Sequence, residues 1–179
     1  MVRKNREWHL GSIAGLAVTA TPAALAGFLA LWLLATWVVA RLRRVRVGWA
    51  LRAGTLIAVV HFASELLHQL GHAAAAGRTG YPMAGVRFGL LGVLATSIYP
   101  EDEPELPAAV HIRRALGGPI VSVAIGLAAG LILALTRGAG GMGRLTVNFI
   151  CLENLLLFGL GAFVPLGFTD GSTILHHWR

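Results

Sequence analysis

Residues 61–76 read HFASELLHQLGHAAAA, from His61 to Ala76. The stretch is apolar except for four ionisable side chains, one amide and one hydroxyl. On a helix turning by about 100° per residue, His61, Glu65, His68 and His72 fall within about 60° of one another. His68 and His72, four residues apart, share one face and are close enough to hold one metal ion. Ionisable side chains are costly in an apolar helix and turn to a bundle interior or a water-filled cavity. A hydrogen-bonded structural stripe joining helices is the competing explanation, and the ligand spacing weighs against it.

The rest of the 179-residue chain supplies the setting. It is 56% hydrophobic and 13% charged, with a mean hydropathy of +0.70. Soluble domains are about 25% charged, so this composition belongs to a membrane protein. The net charge of +7 would suggest nucleic acid in a soluble chain. Here Arg41, Arg43, Arg44, Arg46 and Arg52 flank apolar runs, the pattern of loops that hold topology against anionic lipid. No aromatic-plus-basic face accompanies them, which excludes nucleic acid and leaves the lipid bilayer as partner. The single Cys151 rules out an internal disulfide. Between Ile150 and Leu152 its default state is a buried, inert thiol. No internal repeat is visible, and one integral membrane domain over 1–179 is expected.

A basic N-terminus (Arg3, Lys4, Arg6) precedes an apolar run from Gly11 to Ala40. A signal peptide has a core of about 7–15 apolar residues; this longer run ends in arginines and reads as a retained membrane helix. A second helix is expected over Ala53–Ala76. Residues 77–100 carry Gly77, Gly80, Pro82, Gly85, Gly89 and Gly92, too many breakers for a helix. Strands cannot offer unpaired backbone to lipid, so a membrane-associated β-hairpin packed on the bundle, partly re-entrant, is expected. PEDEPELP, Pro100–Pro107, is an acidic surface loop. A third helix is expected over Ala115–Thr136, a turn over Arg137–Arg144, and a fourth helix over Leu145–Val164. Pro165 and Gly167 break it just before Asp170 and Gly171. The fold class is a membrane α-helical bundle of about four transmembrane helices, with a glycine-rich β-hairpin between helices 2 and 3. Arginines divide almost evenly between the two sides and set no orientation.

The zinc protease pattern HExxH has Glu directly after the first His, as general base. Here that position is Gln69. A zinc site needs a third protein ligand. Asp170, acidic and placed after the Pro165 break, is the candidate. An Asp that caps a following turn and helix explains it equally well. Together these segments resemble the site-2 protease family of intramembrane zinc metalloproteases. LLHQLGHAAAA resembles that family's metal-binding helix. VPLGFTDGSTIL resembles its second motif, with Pro165 five residues before the Asp170-Gly171 pair. RRALGGPIVSV, Arg113 to Val123, resembles the entry into the helix between them. The resemblance runs over about residues 53–179, a metalloprotease-like core. It implies His68, His72 and Asp170 as zinc ligands and a hydrolytic water.

Three positions depart from the family pattern: Gln69 for Glu, Ala162 for Asn and Ser122 for Asn. They favour a naturally divergent member over an engineered trap, which would change only the Glu. An amide cannot titrate near neutral pH, and general acid–base catalysis is worth about 10²–10⁴-fold. Glu65 is a possible surrogate, but its position along the axis is about 7 Å from the midpoint of the histidines and its side chain leans away. A supporting role is expected instead, either bonding a ligand or relaying protons along His61. Glu65 and His68 also match the Glu-x-x-His spacing of di-iron bundles, but no second such pair exists; Glu153 has no His three residues on. His176 and His177, near Trp178, read as interfacial, and His111 as a loop or interface residue.

Three functions follow. The first is an intramembrane zinc metalloprotease-like protein acting on transmembrane segments, its activity weakened by Gln69, with the hairpin offering an edge for an extended peptide. The second is a pseudoprotease that binds membrane segments without cutting them. The third is a proton or metal conduit through His61, Glu65, His68 and His72. A bacterial or archaeal cell membrane is the expected location.

Overall fold

The computed structural model describes residues 7–137 and 140–178. Arg3, Lys4 and Arg6 lie outside that range, as does part of the turn before Arg144. The chain opens with β1 (Trp8–Ile13) and β2 (Leu16–Ala20), then α1 (Pro22–Arg43) and α2 (Val47–Arg78). β3 (Gly85–Leu90) and β4 (Leu94–Ile98) follow, then α3 (Ala108–Leu135) and α4 (Gly141–Leu152). α4 continues as a π-helical stretch, Glu153–Leu160, and a 3-10 turn, Gly161–Phe163; α5 (Asp170–Trp178) closes the fold. Four helical segments are long and apolar enough to cross a membrane: Pro22–Arg43, Val47–Arg78, Ala108–Leu135 and Gly141–Phe163. The expected class, a four-span helical membrane protein with a β-hairpin between the second and third spans, is what forms.

The N-terminal expectation is corrected. The apolar run that begins at Gly11 is not one helix, because its first third belongs to a β-hairpin. Ala14 (φ 51°) and Gly15 (φ 82°) both take left-handed conformations and form the tight turn. Leu16–Ala20 then alternates between buried and more exposed positions. Pro22, with its fixed φ, starts α1. Hydropathy alone cannot separate an apolar strand from an apolar helix, so the two merged in the sequence. The sheet therefore has four strands in the order β1-β2-β3-β4, with β2 and β3 parallel and the outer pairs antiparallel. Leu16, Val18, Ala20, Val86, Phe88 and Ala95 form a core with Phe62, Leu66, Leu70 and Ala73 of α2. That packing sets β4 against the face of α2 that carries Glu65 and Gln69.

α2 is longer than expected, and α3 begins at Ala108 rather than Ala115, directly after the acidic loop Pro100–Pro107. Cys151 is half-buried rather than fully buried. α2 and α3 approach at Gly71 and Gly117. A Cβ on Gly71 would lie 2.5 Å from the Gly117 carbonyl oxygen, so only glycine allows this backbone contact. The crossing lays the Arg114–Ser122 stretch of α3 against His68 and His72.

Candidate metal centre

His68 and His72 are both buried, with their Nε2 atoms 3.0 Å apart. Asp170, the first residue of α5, brings Oδ2 to 3.4 Å from His68 Nε2 and Oδ1 to 3.3 Å from His72 Nε2. The break at Pro165 makes this possible. Gly167 takes φ +91°, its N–H donates to Ser172 Oγ at 2.7 Å, and Thr169 Oγ1 donates to the Val164 carbonyl at 2.5 Å. Asp170 is the first residue of α5 and sits beside the two histidines; among the described residues its side chain makes no capping bond to a helix N–H.

The far side of each imidazole is held by α3. His72 Nδ1–H donates to the Arg114 carbonyl at 2.8 Å, and His68 Nδ1 bonds Ser122 Oγ at 3.0 Å. With protons on both Nδ1 atoms, the two neutral rings point Nε2 lone pairs at each other. That arrangement is repulsive unless a cation or proton lies between them. A tetrahedral zinc centre with bonds of about 2.0–2.2 Å spaces its ligand atoms by about 3.3 Å. The two nitrogens stand 3.0 Å apart, each has one Asp170 oxygen at 3.3–3.4 Å, and one ligand atom from each of the three residues lies within 4.8 Å of the others, close to that spacing. His68, His72 and Asp170 therefore fit a metal ion. Gly118 is the close approach that permits it, because a Cβ there would collide with Nε2 of both histidines.

The rest of the histidine stripe does not join this centre. Glu65 Oε1 accepts from the Ala95 backbone N–H at 2.8 Å and from Gln69 Nε2 at 3.1 Å. Gln69 Nε2 also donates to the Ala95 carbonyl at 3.3 Å, and Gln69 Oε1 accepts from Ser97 Oγ at 2.7 Å. Glu65 thus bonds neither a histidine ligand nor His61, contrary to expectation, because it and Gln69 face β4. The same bonds occupy the backbone of β4 at Ala95, within the hairpin expected to offer an edge to an extended peptide. His61 turns to a third neighbour: Nε2 donates to the Val93 carbonyl at 2.9 Å, and Nδ1 pairs with Glu153 Oε1 at 2.6 Å. Among the described residues no hydrogen bond links His61 to Glu65.

Above the ligands lies a second polar group. Arg114 is buried and pairs with Glu103 through two contacts, at 2.9 and 2.5 Å. It also donates to the Tyr81 carbonyl at 2.5 Å and lies 4.2 Å over the Tyr99 ring. The guanidinium holds the Glu103 carboxyl below the usual carboxylate range, and burial pushes the Tyr99 hydroxyl up. His111, expected as a loop or interface residue, is helical. It sits in the first turn of α3 with its ring stacked on His177 at 4.0 Å and 2°. Burial, with His111 and His176 nearby, holds His177 below the ordinary histidine value.

A cavity of about 560 Å³ connects the three ligands to this rim. One wall is apolar, with Leu90, Leu94, Leu157, Leu166 and Phe168; Ala162 also lines it. Sequence reasoning noted Ser122 only as a departure and missed its bond to His68. It missed Arg114, Gly118, Ser97 and Glu103 altogether. A basic-then-glycine run opposite a histidine pair was the available signal for Arg114 and Gly118.

No protein-family model and no curated protein matches the sequence. Among solved structures, the fold is similar to a site-2 protease from Methanocaldococcus jannaschii, with TM-score 0.63 and 17% sequence identity. The match covers 95% of this chain and 70% of that one, and the likeness is one of fold.

Proposed function

We propose that the chain is an intramembrane metalloprotease-like protein of the site-2 type. It holds one zinc ion on His68, His72 and Asp170 and engages transmembrane segments of client proteins, with hydrolysis weakened by Gln69. One observation carries this reading: two nitrogens 3.0 Å apart, each with an oxygen of one carboxylate at 3.3–3.4 Å and each with its other ring position already bonded. The shared fold and the four apolar spans support it. A bacterial or archaeal cell membrane is the setting, with residues 53–179 as the working core of a single domain.

When bound, zinc supplies a Lewis acid and acidifies a water. The chain's own residues do the rest. The Arg114 carbonyl keeps His72 in the ligating tautomer, and Ser122 orients His68. The apolar wall of the cavity takes the hydrophobic part of a client segment, and the rim takes its polar flank. Proton transfer is the weak link. Gln69 cannot titrate, and the nearest carboxylate, Glu65, has one oxygen engaged twice. Loss of that transfer costs about 10²–10⁴-fold in rate.

A second reading, a pseudoprotease that binds clients without cutting, is favoured by one observation. Gln69 spends its amide entirely on Glu65, Ala95 and Ser97, as a structural clamp. Zinc content of purified protein in mild detergent tests the common part. One zinc in wild type and none in His72→Ala is expected; none in either would sink the metal reading. Cleavage of a membrane reporter by zinc-loaded wild type then separates slow protease from pseudoprotease.

A further inference from the structure

We infer that Arg114 is a positioning residue that ties the acidic loop Pro100–Pro107 to the His72 imidazole, so that docking of the loop sets how firmly the metal is held. The inference rests on the metal reading above. The two ends of Arg114 do different work. Its main-chain carbonyl takes the His72 Nδ1–H at 2.8 Å, and so directs Nε2 at the metal position. Its side chain, 5% exposed, grips Glu103 through two nitrogens, bonds the Tyr81 carbonyl and lies against Tyr99. One residue therefore joins α3, the loop, the α2–β3 connection and the end of β4.

The charge makes the link stiff. A guanidinium paired through two nitrogens to a carboxylate is held in direction as well as distance. Arg114 Nε is buried with no partner, so the cation relies on Glu103 for compensation. Removing one partner of a buried pair leaves an uncompensated charge, which draws in water or moves. Any movement of this side chain is carried to the carbonyl of the same residue, and from there to His72. Groups that orient metal ligands in this way are worth about 10–100-fold in metal affinity.

The test uses full-length protein in detergent and zinc competition against a chromophoric chelator. Glu103→Gln keeps the side-chain shape and removes its charge; zinc affinity is expected to fall about tenfold. Glu105→Gln, an exposed carboxylate in the same loop, is expected to leave affinity unchanged. If Glu103→Gln lowers the melting temperature but binds zinc as wild type does, the inference is overturned while the proposed function stands. A zinc-free arm reads the link from the other end, since coupling between two sites is reciprocal. In metal-free protein, His72→Leu is expected to raise amide exchange across residues 100–107, as Glu103→Gln does. Exchange unchanged in His72→Leu overturns the inference even if wild type holds no zinc, and raised exchange supports it in that case too.

Discussion

Restoring the acid at position 69 is the obvious way to recover a protease, and the structure says that it fails when done alone. Gln69 Nε2 lies 3.1 Å from Glu65 Oε1, and both side chains are buried. Gln69→Glu replaces that donor with a second carboxylate oxygen. Two like charges at this distance repel by roughly 5 kcal/mol at an effective dielectric of about 20. The pair relieves this by keeping one proton between its members, and it then titrates as a unit. The new carboxyl is thus tied up as a proton donor or sharer, and its bond to the Ala95 carbonyl is lost in the ionised form. Exchanging the two residues removes the conflict. In Glu65→Gln/Gln69→Glu, the amide at 65 still accepts from Ala95 N–H and donates to the carboxylate at 69. We expect the single variant Gln69→Glu to melt below wild type and the double variant to recover most of the loss. The coupling between the sites should fall in the range of about 0.5–3 kcal/mol. Cleavage of a membrane reporter should rise by about 10²–10⁴-fold in the double variant and by much less in the single one. Denaturation of wild type, Glu65→Gln, Gln69→Glu and the double variant at pH 7, with the cleavage assay beside it, provides the measurement. Additive stabilities, with Gln69→Glu as stable as wild type, would refute the reasoning.

Other expectations follow from the same contacts. Gly118→Ala places a methyl against both Nε2 atoms, so zinc stoichiometry should fall towards zero while α-helix content by circular dichroism persists. Ser122→Ala leaves His68 Nδ1 unpaired, and zinc affinity should drop about tenfold in a chelator competition. His177 is held below its ordinary value of 6.5, so the unfolded form binds its proton first. The stability from the His111–His177 stack is therefore full above about pH 6.5 and is lost as pH falls through the folded value. In metal-free protein, exchange of α5 amides should rise over that window, and His177→Phe should abolish the rise.

Residues differed in how far the sequence disclosed them. His68 and His72 were legible because a helix fixes which side chains share a face, and Asp170 because Pro165 stops the preceding helix. The hairpin β3–β4 was legible from its glycines. What orients the ligands was not. A backbone carbonyl such as that of Arg114 has no side-chain signature, and its role exists only because Gly71 and Gly117 let two helices touch. The division of the stripe was hidden for a similar reason. His61, Glu65 and Gln69 share a face with the ligands on a helical wheel, but the sheet packed against α2 decides which of them meets backbone instead. The strand Leu16–Ala20 was lost because its apolar residues continue into those of α1.

Under the proposed reading, the same contacts let this fold go without a base and keep a metal site. Position 69 is not needed to hold His68 or His72, whose orienting bonds come from α3. An amide there satisfies Glu65, Ala95 and Ser97 together, a bonding pattern that an ionised carboxylate cannot match. Substitution at 69 therefore strengthens the clamp on β4 without a structural cost at the ligands. Loss of the metal is different in kind. It would leave two acceptor nitrogens 3.0 Å apart and a carboxylate against both. Such a cluster must take up a proton or rearrange. The proton balance of the site, rather than its shape, is where function has room to drift, and the exchange of carboxylate and amide between positions 65 and 69 acts on that balance alone.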